Sequence, residues 1–156
     1  MFFQIKKLSQ IVILGLFGFL FSSFALAATS SVIGNWETID GKTQKPSSII
    51  AIQPKGSVVV GKIIKTFDGT SEKKVERCAF CRDDRKNQPI IGLEIIRNMQ
   101  CQQDSCRGGT ILDPRDGKIY KAMMRLVNNG QQLKVRGYIG VSLFGKTVVW
   151  NRVVKK

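Results

Sequence analysis

Four cysteines and a complete absence of histidine define the chemistry open to this chain of 156 residues. Without an imidazole there is no Ser-His-Asp or Cys-His catalysis, no histidine-bound zinc or haem, and no histidine pH switch. Thiol chemistry, carboxylate chemistry and plain binding remain. The thiols form two sequence pairs, Cys78-x2-Cys81 and Cys101-x4-Cys106, and the carboxylates that deserve weighing are Glu94 and Asp113.

The cysteine spacing is compatible with local disulfides, cross-paired disulfides, a zinc ribbon or free thiols. A predicted strand over Ile90–Arg97 separates the two pairs and is about 26 Å long at roughly 3.3 Å per residue. A disulfide requires Cα atoms within about 7 Å, and a zinc site requires all four sulfurs together. The spacing therefore favours local pairing, Cys78 with Cys81 and Cys101 with Cys106, and we expect no metal site.

The segment Cys78–Cys81 (CAFC) also has the spacing of a thiol oxidoreductase. That chemistry requires the first cysteine at a helix N-terminus, where the helix dipole lowers the pKa of the thiol. Here the motif leads into the charged run Arg82–Arg85 (RDDR), with no βαβ pattern around it. A structural disulfide is the favoured interpretation, and a thiol-disulfide enzyme is the alternative.

The carboxylates do not form an evident catalytic pair. Glu94 alternates with Leu93 and Ile95, so its side chain faces away from theirs. If that face lines a cavity, Glu94 is a buried acid with a raised pKa that orients a ligand; if it faces water, it is an ordinary surface residue. Asp113 precedes Pro114 in a turn, where aspartate commonly caps the backbone. We therefore expect a protein that is not an enzyme.

The first 27 residues have the pattern of a secretory signal peptide. Lys6 and Lys7 precede an apolar stretch over 11–21, and residues 25–27 (ALA) supply a small-residue cleavage site. An uncleaved membrane anchor is the alternative, since the apolar stretch nearly suffices to cross a bilayer. We predict cleavage after residue 27, leaving one periplasmic or secreted domain over 28–156 with no stable membrane span.

The charge balance points to anionic partners, because such a field attracts and concentrates them. The formal charge is +14, and it falls by two when Lys6 and Lys7 are removed. Nucleic acid is not expected, because single-strand binders need aromatic platforms along a basic groove and export separates the chain from nucleic acid. Two interpretations remain for the basic residues: a solvated exterior, or contact with an anionic envelope lipid or glycan.

The chain after the signal consists of β-branched runs between turn motifs. The most secure hairpin pairs residues 120–126 with 133–139 through the turn Asn128-Asn129-Gly130. About eight strands are predicted, a number that closes into an antiparallel barrel able to hold side chains or one small ligand. A sandwich has the same local pattern, but closure removes the exposed edges that an open sheet must protect.

The strand pattern alone does not decide between a barrel and a sandwich, but a family resemblance favours the barrel. Residues Gly34-Asn35-Trp36 open the first strand and Trp150-Asn151-Arg152 end the last, similar to the lipocalin and calycin pattern, in which a tryptophan closes the barrel beneath an arginine. Further motifs lie between them: GKI at 61–63, PIIGL at 89–93, GGTILDP at 108–114, Gly117, Tyr120, LKVRGYIG at 133–140 and GKT at 145–147.

Together these motifs, spread over Ile33 to Arg152, resemble a family of exported bacterial proteins known only as a domain of unknown function. The resemblance implies a lipocalin-like up-and-down β-barrel with an apolar cavity, and it implies small-ligand carriage. It assigns Trp36, Trp150 and Arg152 to closing the barrel. The chain lacks the T-D-Y motif of ordinary lipocalins, which removes support for a lipocalin receptor role.

The sequence therefore predicts a non-catalytic periplasmic or secreted binding protein for a small apolar or amphipathic, lipid-like ligand, without a cofactor. The alternatives are a cell-envelope interaction module that uses its basic surface and, less favoured, the C-x-x-C enzyme. The cavity candidates share inward positions on the predicted strands, although the hairpin residues among them could equally fill the core. They are Met124, Leu126, Leu133, Val135, Ile139 and Glu94.

Overall fold

Eight antiparallel strands follow one another along the chain and close on themselves. The structure, a computed structural model, describes residues 31–71 and 74–154. Each strand pairs with the next, and β8 pairs with β1. The strands are β1 Gly34–Ile39, β2 Pro46–Lys55, β3 Val58–Thr66, β4 Glu94–Gln102, β5 Ser105–Asp113, β6 Lys118–Val127, β7 Gln132–Tyr138 and β8 Gly145–Arg152.

The prediction of an all-β, up-and-down barrel of about eight strands is thus confirmed, and the sandwich alternative is wrong. The predicted signal peptide at 1–27 lies outside the described residues. In the two ranges that the structure covers, no helix has the length and apolarity needed to cross a bilayer.

The β6–β7 hairpin has the predicted alternation. Met124 lies opposite Val135 and Leu126 opposite Leu133, and all four side chains are buried. Asn128 and Asn129 adopt φ values of 51°, in the left-handed region that asparagine tolerates and that suits the twist of a tight hairpin. The local turn chemistry and the core-facing pattern therefore specify the same register.

The predicted strand over Ile90–Arg97 starts four residues later and extends further than expected. Gly92, with φ of 90°, turns the chain before β4. Its N–H donates to the carbonyl of Ile63, and the N–H of Ile63 donates to the carbonyl of Leu93. The chain therefore docks on the end of β3 before the regular ladder begins at Glu94, and Cys101 lies within the strand and not beyond it.

One end of the barrel is closed by the first and last strands. The guanidinium of Arg152 lies 4.2 Å from the ring centroid of the fully buried Trp36, a cation–π arrangement. Arg152 also donates to the carbonyl oxygens of Gly130 (2.6 Å), Ile33 (3.2 Å) and Ser31 (2.6 Å). One side chain thus joins β8 to the β6–β7 turn and to the segment before β1.

The half of the barrel above this closure is filled by side chains. Buried residues from β2 to β7 meet there and form the contiguous core. They include Ile52, Val59, Ile96, Met99, Ala122, Met124, Leu126 and Leu133. Burying a side chain of this size contributes about 1.5–3 kcal/mol, so this half supplies much of the folding free energy.

The opposite end of the barrel carries four loops, at residues 40–45, 67–93, 114–117 and 139–144. The longest contains the Cys78–Cys81 disulfide and packs on the 114–117 turn, where a Cβ on Gly117 would overlap the Phe80 carbonyl. Arg85 is buried in the same loop and donates to Asp83 and to the carbonyl of Glu94. The 67–93 loop is thus fastened to the barrel at several points.

We expect Gly109→Ala to destabilise the protein by about 1–3 kcal/mol, the usual cost of overpacking. A Cβ at this position in β5 would overlap the carbonyl oxygen of Arg97 and the side chain of Met99. Chemical denaturation measures the effect. Gly41→Ala is the control, since no heavy atom lies within 4 Å of a Cβ there, and equal effects of the two substitutions would contradict the prediction.

We expect Arg152→Lys to destabilise the protein by about 2 kcal/mol, because a compact ammonium lacks the wide planar fork with which the guanidinium reaches three carbonyls on two chain segments and stacks on Trp36. The matched control is Arg125→Lys on the exposed outer surface, 3.5 Å from Asp104, which should change stability by less than about 0.5 kcal/mol. Thermal and denaturant unfolding of both variants provide the measurement. A loss at Arg125 as large as the loss at Arg152 would count against the closing role.

Candidate functional site

A cavity of about 1100 Å³ occupies the half of the barrel opposite the closure. Residues from all four loops at that end line its mouth, among them Gln44, Val75, Pro114 and Phe144. Typical small-molecule pockets enclose about 300–1000 Å³. The volume is therefore sufficient for a ligand of drug or lipid size.

The wall of the cavity is mainly aliphatic. Inward positions of consecutive strands present branched side chains, and Trp150 lies deeper toward the closed end. The apolar lining includes Ile50, Ile63, Ile95, Ile111, Val135 and Val148. Val148 faces inward because it lies directly opposite the buried Val135, and opposed residues share one face of the sheet.

Polar groups line the cavity closer to its mouth. The hydroxyls of Thr38 and Ser48 hydrogen-bond each other at 2.7 Å on adjacent strands, and Tyr120 and Tyr138 lie on β6 and β7. Neither hydroxyl of the Thr38–Ser48 pair contributes a charge. This part of the wall can therefore orient a polar group without presenting an ion.

Charged side chains concentrate at the mouth. Asp113 accepts hydrogen bonds from Arg115, with the closer guanidinium nitrogen at 2.6 Å. Burial acts to raise the pKa of Asp113, but the hydrogen bonds from Arg115 and the nearby charge of Lys146 outweigh it and hold the pKa below its usual value. Asp113 is therefore ionised at neutral pH and neutralised by two cations, and the described mouth has no excess of negative charge.

The cavity also reaches the seam between β1 and β8. Only Trp36–Arg152 and Glu37–Asn151 are paired across this seam. The first part of β8, residues 145–150, has no ladder partner on that side within the described chain. Thr147, Val148 and Val149 therefore all border the cavity, although neighbouring side chains of a strand point in opposite directions. The mouth thus extends down one side of the barrel.

Asp40 fastens two of the mouth loops together. Its carboxylate accepts hydrogen bonds from the N–H groups of Lys42 (2.9 Å), Thr43 (2.7 Å) and Ser71 (3.0 Å) and from the Ser71 hydroxyl. The N–H of Thr43 is the largest cause that holds the pKa of Asp40 well below its ordinary value. The D-G pair at 40–41 predicts a turn, but the contact with Ser71, 31 residues away, carries no sequence signal.

The structure separates the predicted cavity residues by their depth in the barrel. Val135 lines the inner wall and Ile139 lies at the mouth. Met124, Leu126 and Leu133 are buried in the packed half and do not border the cavity. Strand alternation identifies the inward face, but it does not say how far along the barrel axis the side chains leave space.

The structure places Glu94 outside the cavity. Its carboxylate lies 3.3 Å from the ammonium of Lys55 and 2.9 Å from Nε of Arg97. Arg97 in turn pairs with Asp84 of the long loop at 2.7 Å. The cavity role considered for Glu94 is therefore wrong, because the register of β4 against β3 shifts between Glu94 and Ile96, and Ile95 lines the cavity in its place.

The four cysteines form two local disulfides, Cys78–Cys81 in the long loop and Cys101–Cys106 across β4 and β5. The spacing favoured this pairing. The two bridges belong to opposite ends of the barrel, so neither a four-cysteine zinc site nor cross-pairing is present. Cys78 and Cys81 are both buried, and the described chain contains no free cysteine.

The comparisons with known proteins agree with this architecture. The profile of DUF2147, described as an uncharacterised protein family conserved in bacteria, matches residues 34–152. The chain belongs to this family. No curated protein matches the DUF2147 chain. Among solved structures it is similar to protein HP1028 of Helicobacter pylori, described as a member of the lipocalin family.

The likeness to HP1028 concerns the fold. The TM-score is 0.68 at 21% sequence identity, over 81% of this chain and 85% of HP1028. The expected resemblance to an uncharacterised bacterial family with a lipocalin-like barrel is thus confirmed at the level of family and fold. The positions that the profile covers begin at Gly34 and end at Arg152, the two ends of the barrel closure.

We expect Asp40→Asn to lower the melting temperature at pH 7 and to make it less sensitive to acid. The folded pKa of Asp40 lies below its ordinary value of 3.8, so its ionised form stabilises the fold above that pH and this contribution is lost as the pH falls further. Melting curves between about pH 7 and pH 2 test this. Asp104→Asn, at a half-buried site beyond the closed end, should retain the wild-type pH profile; an unchanged profile for Asp40→Asn would refute the assignment.

Proposed function

We propose that this DUF2147 protein is a non-catalytic carrier of a small apolar or amphipathic molecule. The observation that carries the proposal is the cavity of about 1100 Å³ inside a barrel closed at one end. Its aliphatic wall removes an apolar ligand from water, which is the dominant favourable term in such binding. A filled core, the alternative for eight strands, accounts only for the half near Trp36.

The distribution of polar groups supports an amphipathic ligand with its polar end at the mouth. The apolar body would contact Ile50, Ile63 and Val135, and the polar end would lie near Tyr120 and Lys146. Lys146 adds a positive charge near the Asp113–Arg115 pair. This charge favours a neutral or anionic polar group over a cationic one. Such a ligand is lipid-like in its chemistry.

Export to the periplasm or the exterior is part of the proposal. Two disulfides are expected in an oxidising compartment and are rare in a reducing cytosol. The signal-like pattern over residues 1–27 has the charged, apolar and small-residue parts of a secretory leader. A carrier in this compartment would move a poorly soluble molecule through water.

A binding role also agrees with the chemistry of the lining. Asp113 is the only described acid among the lining residues, and it is paired with Arg115, so an acid/base pair of carboxylates lacks its second member there. The Cys78–Cys81 bridge is buried, whereas a thiol-disulfide enzyme needs an accessible sulfur for attack. These features favour carriage over the C-x-x-C enzyme.

The protein should bind a fluorescent polyene fatty acid, and Val148→Trp should weaken this binding at least about tenfold, equivalent to about 1.4 kcal/mol. Val148 faces the cavity and is 37% exposed, so a larger ring can enter the cavity without displacing the core. Ile64→Trp is the matched control, because Ile64 is 43% exposed and lies outside the lining.

Native mass spectrometry of the purified protein provides the second readout, since a carrier should retain a co-purified small molecule. Saturable probe binding that Val148→Trp reduces and Ile64→Trp leaves unchanged would support carriage. Absence of both a co-purified molecule and saturable probe binding would overturn it. Equal weakening by the two substitutions would place the probe on the outer surface and would also contradict the proposal.

A further inference from the structure

The β7–β8 loop, residues 139–144, exposes four large apolar side chains at the mouth of the cavity. Ile139 is 66% exposed, Val141 60%, Leu143 78% and Phe144 76%. Exposed single apolar residues are ordinary, but a group of four in six residues marks an interaction surface. Ile139, Leu143 and Phe144 also line the cavity, whereas Val141 does not.

The loop is held in this conformation from below. Arg136 on β7 donates through Nε to the carbonyl of Ser142 at 2.8 Å and through a terminal nitrogen to the carbonyl of Leu143 at 3.0 Å. A third nitrogen donates to the Thr147 hydroxyl at 2.8 Å. Because the guanidinium satisfies the loop carbonyls, the backbone stays on the protein side and the apolar side chains project outward.

The strands beneath the loop carry a one-sided charge. From Gly117 to Lys156 the sequence contains no Asp or Glu and nine Lys and Arg residues. The outer face of β6 and β7 presents Lys121, Arg125, Lys134 and Arg136, which we term the basic wall. The basic wall begins near the apolar loop at Lys121, opposite Tyr138, and runs along the outside of the barrel to Arg125 and Lys134.

The basic wall contains a like-charge pair. Arg125 lies directly opposite Lys134 in the β6–β7 ladder, an arrangement that destabilises a sheet. Only Arg125 has an acidic neighbour, Asp104 at 3.5 Å, and within the described residues neither Lys121 nor Lys134 forms an ion pair. An anionic surface placed against this wall would remove the repulsion.

We propose that the β7–β8 loop and the basic wall dock the protein on an anionic phospholipid bilayer, with the β6–β7 side of the barrel tilted toward the membrane and the cavity mouth at its surface. Leu143 and Phe144 would enter the boundary between headgroups and acyl chains, and the lysines would contact anionic headgroups. Apolar insertion combined with basic charge is the arrangement by which peripheral proteins bind such bilayers. This proposal goes beyond ligand binding, because it assigns a surface of the protein to membrane attachment.

The charge argues for a bilayer as the occupant of this surface. A second copy of the chain would bring the same basic wall and the same uncharged loop, so two copies have no complementary charge to offer each other here. An anionic bilayer offers both complementary charge and an apolar interior. It also accepts a poorly soluble ligand directly from the cavity mouth, without passage through water.

Vesicle co-sedimentation tests the proposal, with vesicles of equal parts phosphatidylglycerol and phosphatidylcholine compared with phosphatidylcholine alone. The protein should bind the anionic vesicles and lose binding as salt rises from about 0.05 to 0.5 M, because salt screens exposed charges. Leu143→Ser combined with Phe144→Ser should weaken binding at least about tenfold. Lys121→Gln combined with Lys134→Gln should weaken it by about the same factor.

The matched control carries Ile64→Ser and Lys62→Gln on β3, across the barrel from β7, and should bind vesicles as the wild type does. Lys121 and Lys134 lie outside the cavity, so their variant should retain probe binding while losing vesicle binding. That split separates failure of membrane docking from failure of ligand carriage. The proposal would be overturned if the wild-type protein did not bind anionic vesicles, or if all variants bound them equally. A loop variant that changed only the oligomeric state would also overturn it.

Discussion

The seam between β1 and β8 is the constraint on which the barrel depends, because a sheet becomes a barrel only where its first and last strands join. Two residue pairs make this join, and Arg152 reinforces it through Trp36 and three carbonyl oxygens. Burial lowers the pKa of the Arg152 guanidinium, yet an arginine remains charged at any physiological pH. The closure therefore does not depend on pH within the physiological range.

The short seam also explains why one half of the barrel is packed and the other is open. Toward the closed end, large buried side chains such as Met99 and Met124 belong to the same contiguous core as Trp36. Toward the mouth, β1 and β8 separate and the inward positions become small or polar, as at Thr38, Ser48 and Gly137. The cavity is therefore a consequence of where closure is made and of side-chain size along each strand.

The elements that follow from local pattern were predictable from the sequence, whereas depth and long-range contacts were not. Turn chemistry and alternation predicted the β6–β7 hairpin, and the spacing of the cysteines favoured the two local disulfides. Alternation also selected Leu133 and Val135 together, although only Val135 reaches the cavity, because a period of two carries no information on axial depth. Glu94 was misplaced for a different reason, since the register of β4 against β3 shifts between Glu94 and Ile96, and strict alternation does not reveal such a shift.

Because the closed end supplies much of the stability, the rest of the barrel can expose surfaces that do not stabilise the fold. Apolar side chains exposed at 139–144 add nothing to the core, and the opposed cations Arg125 and Lys134, on the outer face nearer the closed end, weaken the sheet. A barrel closed by Arg152 and packed around Met99 can tolerate both features, because the packed half supplies the folding free energy. The cavity and the exposed apolar loop therefore lie at the end opposite the packed half, with Asp40 and Arg136 holding the loops that form the mouth.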